Sequence, residues 1–348
     1  MDIRIEPHRS SDVPELSRFL TEGFGAPSDA RFARPEILRW KYLDKPASVD
    51  SPRGYVARAG GKIVGHVGFR TASFVVPKPG DDPGFYEVST LHIIDWLALP
   101  EHRGLGARLM MRAHRHADTQ FGLGTTAAAR KVGEAFDYQL IHEIPIYRRT
   151  FNPMYRLRES DAPLWKRSAR AARDAARLLV RPAPGKSDLD SRRVDRFGEE
   201  IVDFWNRRSR RAIQMSRSAD MLNYLLRFPE GSITGRLFVE RGEPAGCGIV
   251  SVVPRGRVLA GKIVECRDLG DSIDDTRRAI VALTTTLKAK GADFAECWAS
   301  DSDLAIALEQ AGYDRAGFAS FHLRDRKKLI TRDNPFYMTP LEADYAYT

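Results

Sequence analysis

One order of elements occurs twice in this chain. The stretch "RPEILRWKYLDKPAS…RGYVARAGGKIVGHVGF" has an echo in "RSADMLNYLLRFPEG…GRLFVERGEPAGCGIVS". Ile37 corresponds to Met221, Trp40 to Tyr224, Gly61 to Gly242 and Gly65 to Gly246, while Gly68 falls near Gly248. An echo this long, running through a helix and a hairpin, predicts two copies of one α/β unit rather than a solenoid of short repeats.

Within the first copy, residues 2–8 alternate as a strand, and "SSDVPELSRFLTEGF" carries Val13, Leu16, Phe19 and Leu20 at helical spacing behind Ser and Asp cap residues. Residues 35–43 predict a second helix. Gly60-Gly61 joins two strands as a hairpin. Residues 85–99 predict a long strand, or two with a break near Ser89; residues 106–121 predict a helix, "RKVGEAF" a short one and "YQLIHEIPIYRRT" the last strand. The second copy continues in the same order through "GKIVECRDL", "DTRRAIVALTTTLKAKG", "DFAECWAS", "DSDLAIALEQAG" and "AGFASFHLRD".

Between strand and helix of the first copy stands "LPEHRGLGARLMM". A helix start leaves its first N–H groups unpaired at the positive end of the macrodipole. Glycines ahead of it let the backbone approach closely and aim several N–H groups at one anion. The second copy has "GDSIDDT" at the same place, where acids would repel a phosphate.

At 348 residues, with 43% hydrophobic and 29% charged, the chain has the make-up of a soluble globular protein of two domains or one large one. It has no apolar run of the roughly 18 residues that span a bilayer, and "MDIRIEPHRSSD" lacks the apolar stretch of a secretory signal. Cys247, Cys266 and Cys297 lie far apart with no CxxC pair. That spacing predicts a reducing, cytoplasmic setting and no metal site. Of the net charge of +9, nine basic against five acidic residues fall in 151–190. A basic stripe spread over a folded surface with aromatics between is absent, so nucleic acid is not an expected partner. Residues 164–180 predict a helix with Arg170, Arg173, Arg177 and Arg181 on one face and Trp165, Ala169, Ala172, Ala176 and Leu179 on another. The expectation is a linker that packs its alanine face on a neighbouring domain and leaves its arginines in solvent.

The succession strand–helix–helix–hairpin, a strand entering Pro-x-x-Arg-Gly-x-Gly, then helix, strand, helix and strand resembles the GNAT acyltransferases. The resemblance covers residues 2–150 and, in degenerate form, 195–330. It implies two GNAT-like domains, each a mixed, mostly antiparallel sheet flanked by helices: 1–150 with the coenzyme A site, a basic linker over 151–190, and a degenerate copy over 191–348. It further implies transfer of an acyl group, acetyl first, from acetyl-CoA to a small-molecule or peptide amine by direct attack. Alternatives are a longer acyl-CoA, an acyl carrier protein whose acidic surface would suit the arginine helix, or a non-catalytic binding protein.

The family pattern is Gln/Arg-x-x-Gly-x-Gly/Ala. Counted from Glu101 it fits Gly104 and Gly106 but begins with an acid; counted from Arg103 it ends on Arg108. The first register is preferred because it sets Leu109 and Met110 as the helix's apolar pair. The implied coenzyme-binding residues are Leu97, Ala98, Leu99, His102, Arg103, Gly104, Leu105, Gly106, Ala107, Arg108 and Thr126. For the base, the entering strand offers Glu87, His92 and Asp95, with His92 and Asp95 preferred. Gly133 stands where the family carries its tyrosine acid, leaving Tyr138, and then Tyr147, as substitutes; Leu308 holds that place in the second copy.

Overall fold

The computed structural model describes residues 2–44, 51–78, 84–159, 162–180, 187–201, 212–268, 270 and 272–347. Strand β1 (Ile3–Pro7) leads into α1 (Val13–Gly23) and α2 (Pro35–Tyr42), then β2 (Gly54–Ala59), β3 (Lys62–Pro77) and β4 (Phe85–Ala98). Next come α3 (Leu105–Ala113), β5 (Thr119–Leu123), α4 (Ala127–Glu134) and β6 (Gln139–Thr150). After α5 (Leu164–Val180), β7 (Asp190–Val194), β8 (Gln214–Met215) and α6 (Ala219–Leu226) come β9 (Ile233–Glu240), β10 (Glu243–Arg255) and β11 (Val258–Asp268). The chain then forms α7 (Ile273–Ala289), β12 (Phe294–Trp298), α8 (Ser302–Gln310) and β13 (Asp314–Asp325). The helix expected over 106–121 stops at Ala113, and Thr119 already belongs to β5. Gly60 and Gly61, both at positive φ, turn the β2–β3 hairpin, and β4 is one strand with no break at Ser89.

The expectation of two separate GNAT-like domains is corrected by the sheet. It is one continuous sheet of 13 strands in the order β1-β2-β3-β4-β5-β13-β6-β12-β11-β10-β9-β7, with β8 on β3. Last strands are exchanged between the halves: β6 pairs with β12 and β13 pairs with β5, both antiparallel, and β6 and β13 pair with each other. Neither half can close its sheet alone, because an unpaired edge would remain where the other half's strand now lies. The core follows suit. One cluster runs from Ile37, Trp40 and Phe74 in the first half through Phe321 to Phe336 and Tyr347 at the end of the chain. Trp40 and Tyr224, matched in the repeat, stack face to face at 4.6 Å and 8°. Each also donates to the other's backbone carbonyl: Trp40 Nε1 to Tyr224 O at 3.3 Å and Tyr224 Oη to Trp40 O.

Helix α5 leaves its arginines exposed as expected but does not pack its alanine face. Its buried residues are Ala171 and Asp174. Arg156 and Arg173 hold Asp174 at 2.8 and 3.1 Å, and Arg177 reaches Asp314 at 3.4 Å. The alanine face points outward, with Trp165 68% and Leu179 88% exposed. The ties to the body are two ion pairs, Asp174 with Arg156 and Arg177 with Asp314. Arg181 lies outside the described residues. Among the described residues no helix is long and apolar enough to cross a membrane.

Candidate active site

Strands β4 and β5 run parallel in register only from Thr90 to His92, opposite Thr119 to Phe121, and then separate. A bulge starts the separation: His66 faces Leu97 and Gly68 faces Ile94, so Asp95 and Trp96 together oppose Val67. Asp95 takes φ 47°, a left-handed conformation costing a non-glycine residue about 1 kcal/mol or more. Both ends of the residue are tied down. Its Oδ2 accepts from Lys41 Nζ and from Tyr42 Oη, each at 2.6 Å, and its carbonyl lies 2.6 Å from His66 Nδ1.

The gap between the strands is a cavity of about 310 Å³, walled by His92 to Trp96, by Gly122 to Thr126 beyond β5, by Met110 and Tyr138, and by Asp344 from the end of the chain. Burial works against charge on Lys41, yet Asp95 beside it keeps the ammonium above the usual lysine range. Burial likewise works to raise Asp95, but Lys41 holds its carboxyl below the usual carboxylate range. Asp344 has gone the other way: burial raises it, and Asp95 adds to the rise against the pull of Lys41. His92 is buried, stacked on Phe121 at 4.6 Å and 4°, and burial sets its pKa well below the ordinary imidazole value. The site therefore holds two carboxyl groups of opposite tendency around one lysine, beside a neutral imidazole.

The glycine turn reaches this cavity through one wall residue, Trp96. Gly104 caps α3 at φ 77° with no side-chain cap, a conformation that glycine adopts without strain. Leu105 N–H bonds His102 O and Arg108 N–H bonds Gly104 O, both near 3 Å, whereas the N–H groups of Gly104, Gly106 and Ala107 meet no acceptor among the described residues. The turn is tethered to the cavity wall by Trp96 Nε1, which donates to Gly106 O at 3.2 Å. Arg103 and Arg108 are exposed on either side. Three free donors at a helix start, flanked by two cations, form an anion cradle.

Residues 15–135 match the acetyltransferase (GNAT) family, a stretch from α1 through α4. Among solved structures, N-myristoyltransferase of Saccharomyces cerevisiae with bound myristoyl-CoA is similar with a TM-score of 0.63 at 13% identity, over 94% of this chain and 84% of that one. A GCN5-related N-acetyltransferase of Anabaena variabilis gives 0.58 at 12%, over 93% and 73%. A probable N-acyltransferase of Enterococcus faecalis gives 0.55 at 12%, over 93% and 72%. The fold is that of the GNAT superfamily. No curated protein matches the sequence.

Within this GNAT fold the residues singled out from sequence fall in three groups. His92, Asp95, Tyr138 and Thr126 all line the cavity. Thr126 also caps α4 by accepting from Ala129 N–H at 3.2 Å, and Tyr138 Oη donates to Gln120 Oε1 at 2.8 Å, with burial raising its pKa. His102 through Arg108 form the turn. Leu97, Ala98 and Leu99 lie past the cavity's stretch of β4, where Leu99 N–H is engaged by Val64 O at 3.0 Å. Glu87 is exposed farther back on β4, and Tyr147 bonds Glu309 at 3.4 Å on β6. Sequence reasoning missed Lys41, Tyr42 and Asp344. Lys41 carries a readable signal, a charged residue between Trp40 and Tyr42 on the buried side of α2; Asp344 carries none, being 249 positions from Asp95.

Proposed function

We propose that this protein is an acyl-CoA-dependent N-acyltransferase that moves an acyl group from the thioester to a primary amine by direct attack. The observation that carries the reading is the open gap between β4 and β5 whose wall residue Trp96 holds the Gly104 turn, with three N–H groups there that meet no acceptor among the described residues. The coenzyme's pyrophosphate sits on that turn between Arg103 and Arg108, and its acyl-thioester arm lies in the gap. His92 and Asp95 are poor acceptors for the amine proton, the first because burial lowers its basicity and the second because Lys41 and Tyr42 hold its carboxylate.

We assign that proton to Asp344, which borders the same cavity and which burial makes a stronger base than Asp95. The neutral amine attacks the carbonyl carbon, the tetrahedral intermediate collapses, the C–S bond breaks, the thiolate takes a proton from Tyr138, and the proton shed by the product nitrogen restores Tyr138. The reading extends to a longer acyl donor on one ground: the full-length likeness to a transferase that holds myristoyl-CoA. Assaying thiol release with acetyl-CoA and myristoyl-CoA across a panel of amines tests it. Asp344→Asn is expected to lower kcat at least a hundredfold while donor affinity holds. Unchanged kcat would remove Asp344 from the chemistry, and no thiol release with any pair would remove the enzyme reading.

A further inference from the structure

A second cavity of about 390 Å³ lies on the α2 side of β3, between α2, the middle of β3 and α6. It adjoins the acyl gap. Arg70 on its wall is the cross-strand partner of His92, and cross-strand partners project from the same face of a sheet. Tyr347 borders this cavity as Asp344 borders the other, three residues earlier. Two arginines face it. Arg53 is 4% exposed; among the described residues its guanidinium donates to Tyr224 Oη at 2.5 Å, with the Tyr224 ring 5.0 Å away. Arg70 Nη2 donates to the carbonyls of Leu341 and Glu342 at 3.2 and 3.0 Å and to Met215 Sδ, while its buried Nε has no partner.

Among the described residues neither arginine has a carboxylate at ion-pair distance; the Glu342 carboxylate is taken by Arg217 at 2.6 Å. Among the described residues Glu87 is the only carboxylate on the cavity's lining, and it is exposed at the rim. Burying two guanidinium groups is costly unless an anion joins them. Arginine is the residue suited to holding a carboxylate or phosphate by two parallel bonds.

Resting on the acyltransferase reading, we infer that the acceptor is an amine carrying an anionic group, with the anion on Arg53 and Arg70 and the amine reaching past Tyr347 toward Asp344. The test uses matched acceptors: phenylalanine, phenylalaninamide and phenethylamine for carboxylate, and O-phosphoethanolamine with ethanolamine for phosphate. The anionic member of one set is expected to bind in calorimetry and to give at least a hundredfold higher kcat/KM than its neutral partners. Arg53→Met should raise its KM at least tenfold with little change in kcat. Ser89→Asp, at the exposed rim, should do the same by repulsion without disturbing buried groups. Equal binding or turnover of neutral and anionic members, or no binding of either, overturns the inference. Acyl-CoA titration of the same samples separates the two claims, since donor binding without anion preference sinks only this one.

A different observation concerns α5. Its outer stripe, Trp165, Ala169, Ala172, Ala176 and Leu179, is exposed, as is Val180 at 84%; Lys166, Arg170, Arg173 and Arg177 run alongside. A tryptophan-ended apolar stripe bordered by cations has the make-up of a helix lying in the headgroup layer of an anionic bilayer. We propose that α5 docks this protein on an anionic phospholipid surface. Sedimentation of the full chain with phosphatidylcholine vesicles, with and without phosphatidylglycerol, is expected to show binding only when the anionic lipid is present. Leu179→Glu and Trp165→Glu should each weaken it at least tenfold. Three outcomes overturn the proposal: no sedimentation, sedimentation indifferent to both variants, or a stripe occupied instead by a second copy of the chain or by an acyl carrier protein.

Discussion

The two halves start their corresponding helices in opposite ways. At α3 the cap is Gly104, its N–H and those of Gly106 and Ala107 meet no acceptor among the described residues, and the adjoining strands part around a cavity. At α7 the cap is Ser272, whose hydroxyl accepts from Asp275 N–H at 3.1 Å, with Asp274 and Asp275 in the first turn. Past its pairing with β12, β11 carries Glu265, bound by Arg217 and Tyr337, with Arg217 also joined to Glu342. One half leaves an anion cradle and a gap; the other satisfies the same places with its own side chains. The lesson is that a shared fold frame becomes a binding site only where it is left unfilled.

The strongest way to break this comparison is to empty the filled half. Arg217→Met removes the shared cation of two buried carboxylates, leaving Glu265 with Arg267 at 3.9 Å and Glu342 without its arginine, and should cost about 3–5 kcal/mol, read by urea unfolding. A loss below about 1 kcal/mol would mean that the second half is not held by that network. Centred on the first half is a pH effect. Burial lowers His8 and His92 well below the ordinary value and His66 to about 4. A histidine whose folded pKa is depressed stays neutral in the fold, while the unfolded chain takes up a proton below about pH 6.5. Stability should therefore fall as pH drops from about 6.5 toward 4, by about 1.4 kcal/mol per unit for each such histidine once well below 6.5. A Tm flat across that window would contradict the burial of these rings. The mildest probe is Ser272→Ala, expected to cost about 1 kcal/mol as a lost cap and to leave acyl-CoA affinity unchanged. Weakened affinity would put the coenzyme on the wrong helix.

Much of this was legible because it is local. Gly60-Gly61, the span of β4, and the Gly104 turn ahead of an apolar helix are written in neighbouring residues. The matched Trp40 and Tyr224 were visible too, although their stacking on each other was not. What escaped is long-range. Nothing near "YQLIHEIPIYRRT" says that this strand will pair with β12 instead of closing its own half, since strand partners carry no local mark. The packing of α5 was misjudged because a helical wheel shows two faces but not which one finds partners; its ties are Asp174 with Arg156 and Arg177 with Asp314. Asp344 shares a cavity with Asp95 only through the exchanged topology.

The central claim is that the Gly104 turn holds the donor's phosphates. The direct measurement is calorimetric titration of the purified protein with acetyl-CoA and myristoyl-CoA, beside Gly104→Glu and beside Gly104→Asn, which tolerates the left-handed backbone. Micromolar binding by the wild type, weakened at least tenfold in Gly104→Glu and less in Gly104→Asn, is the predicted result. Wild-type binding that Gly104→Glu leaves intact, or no binding of either donor, would contradict it.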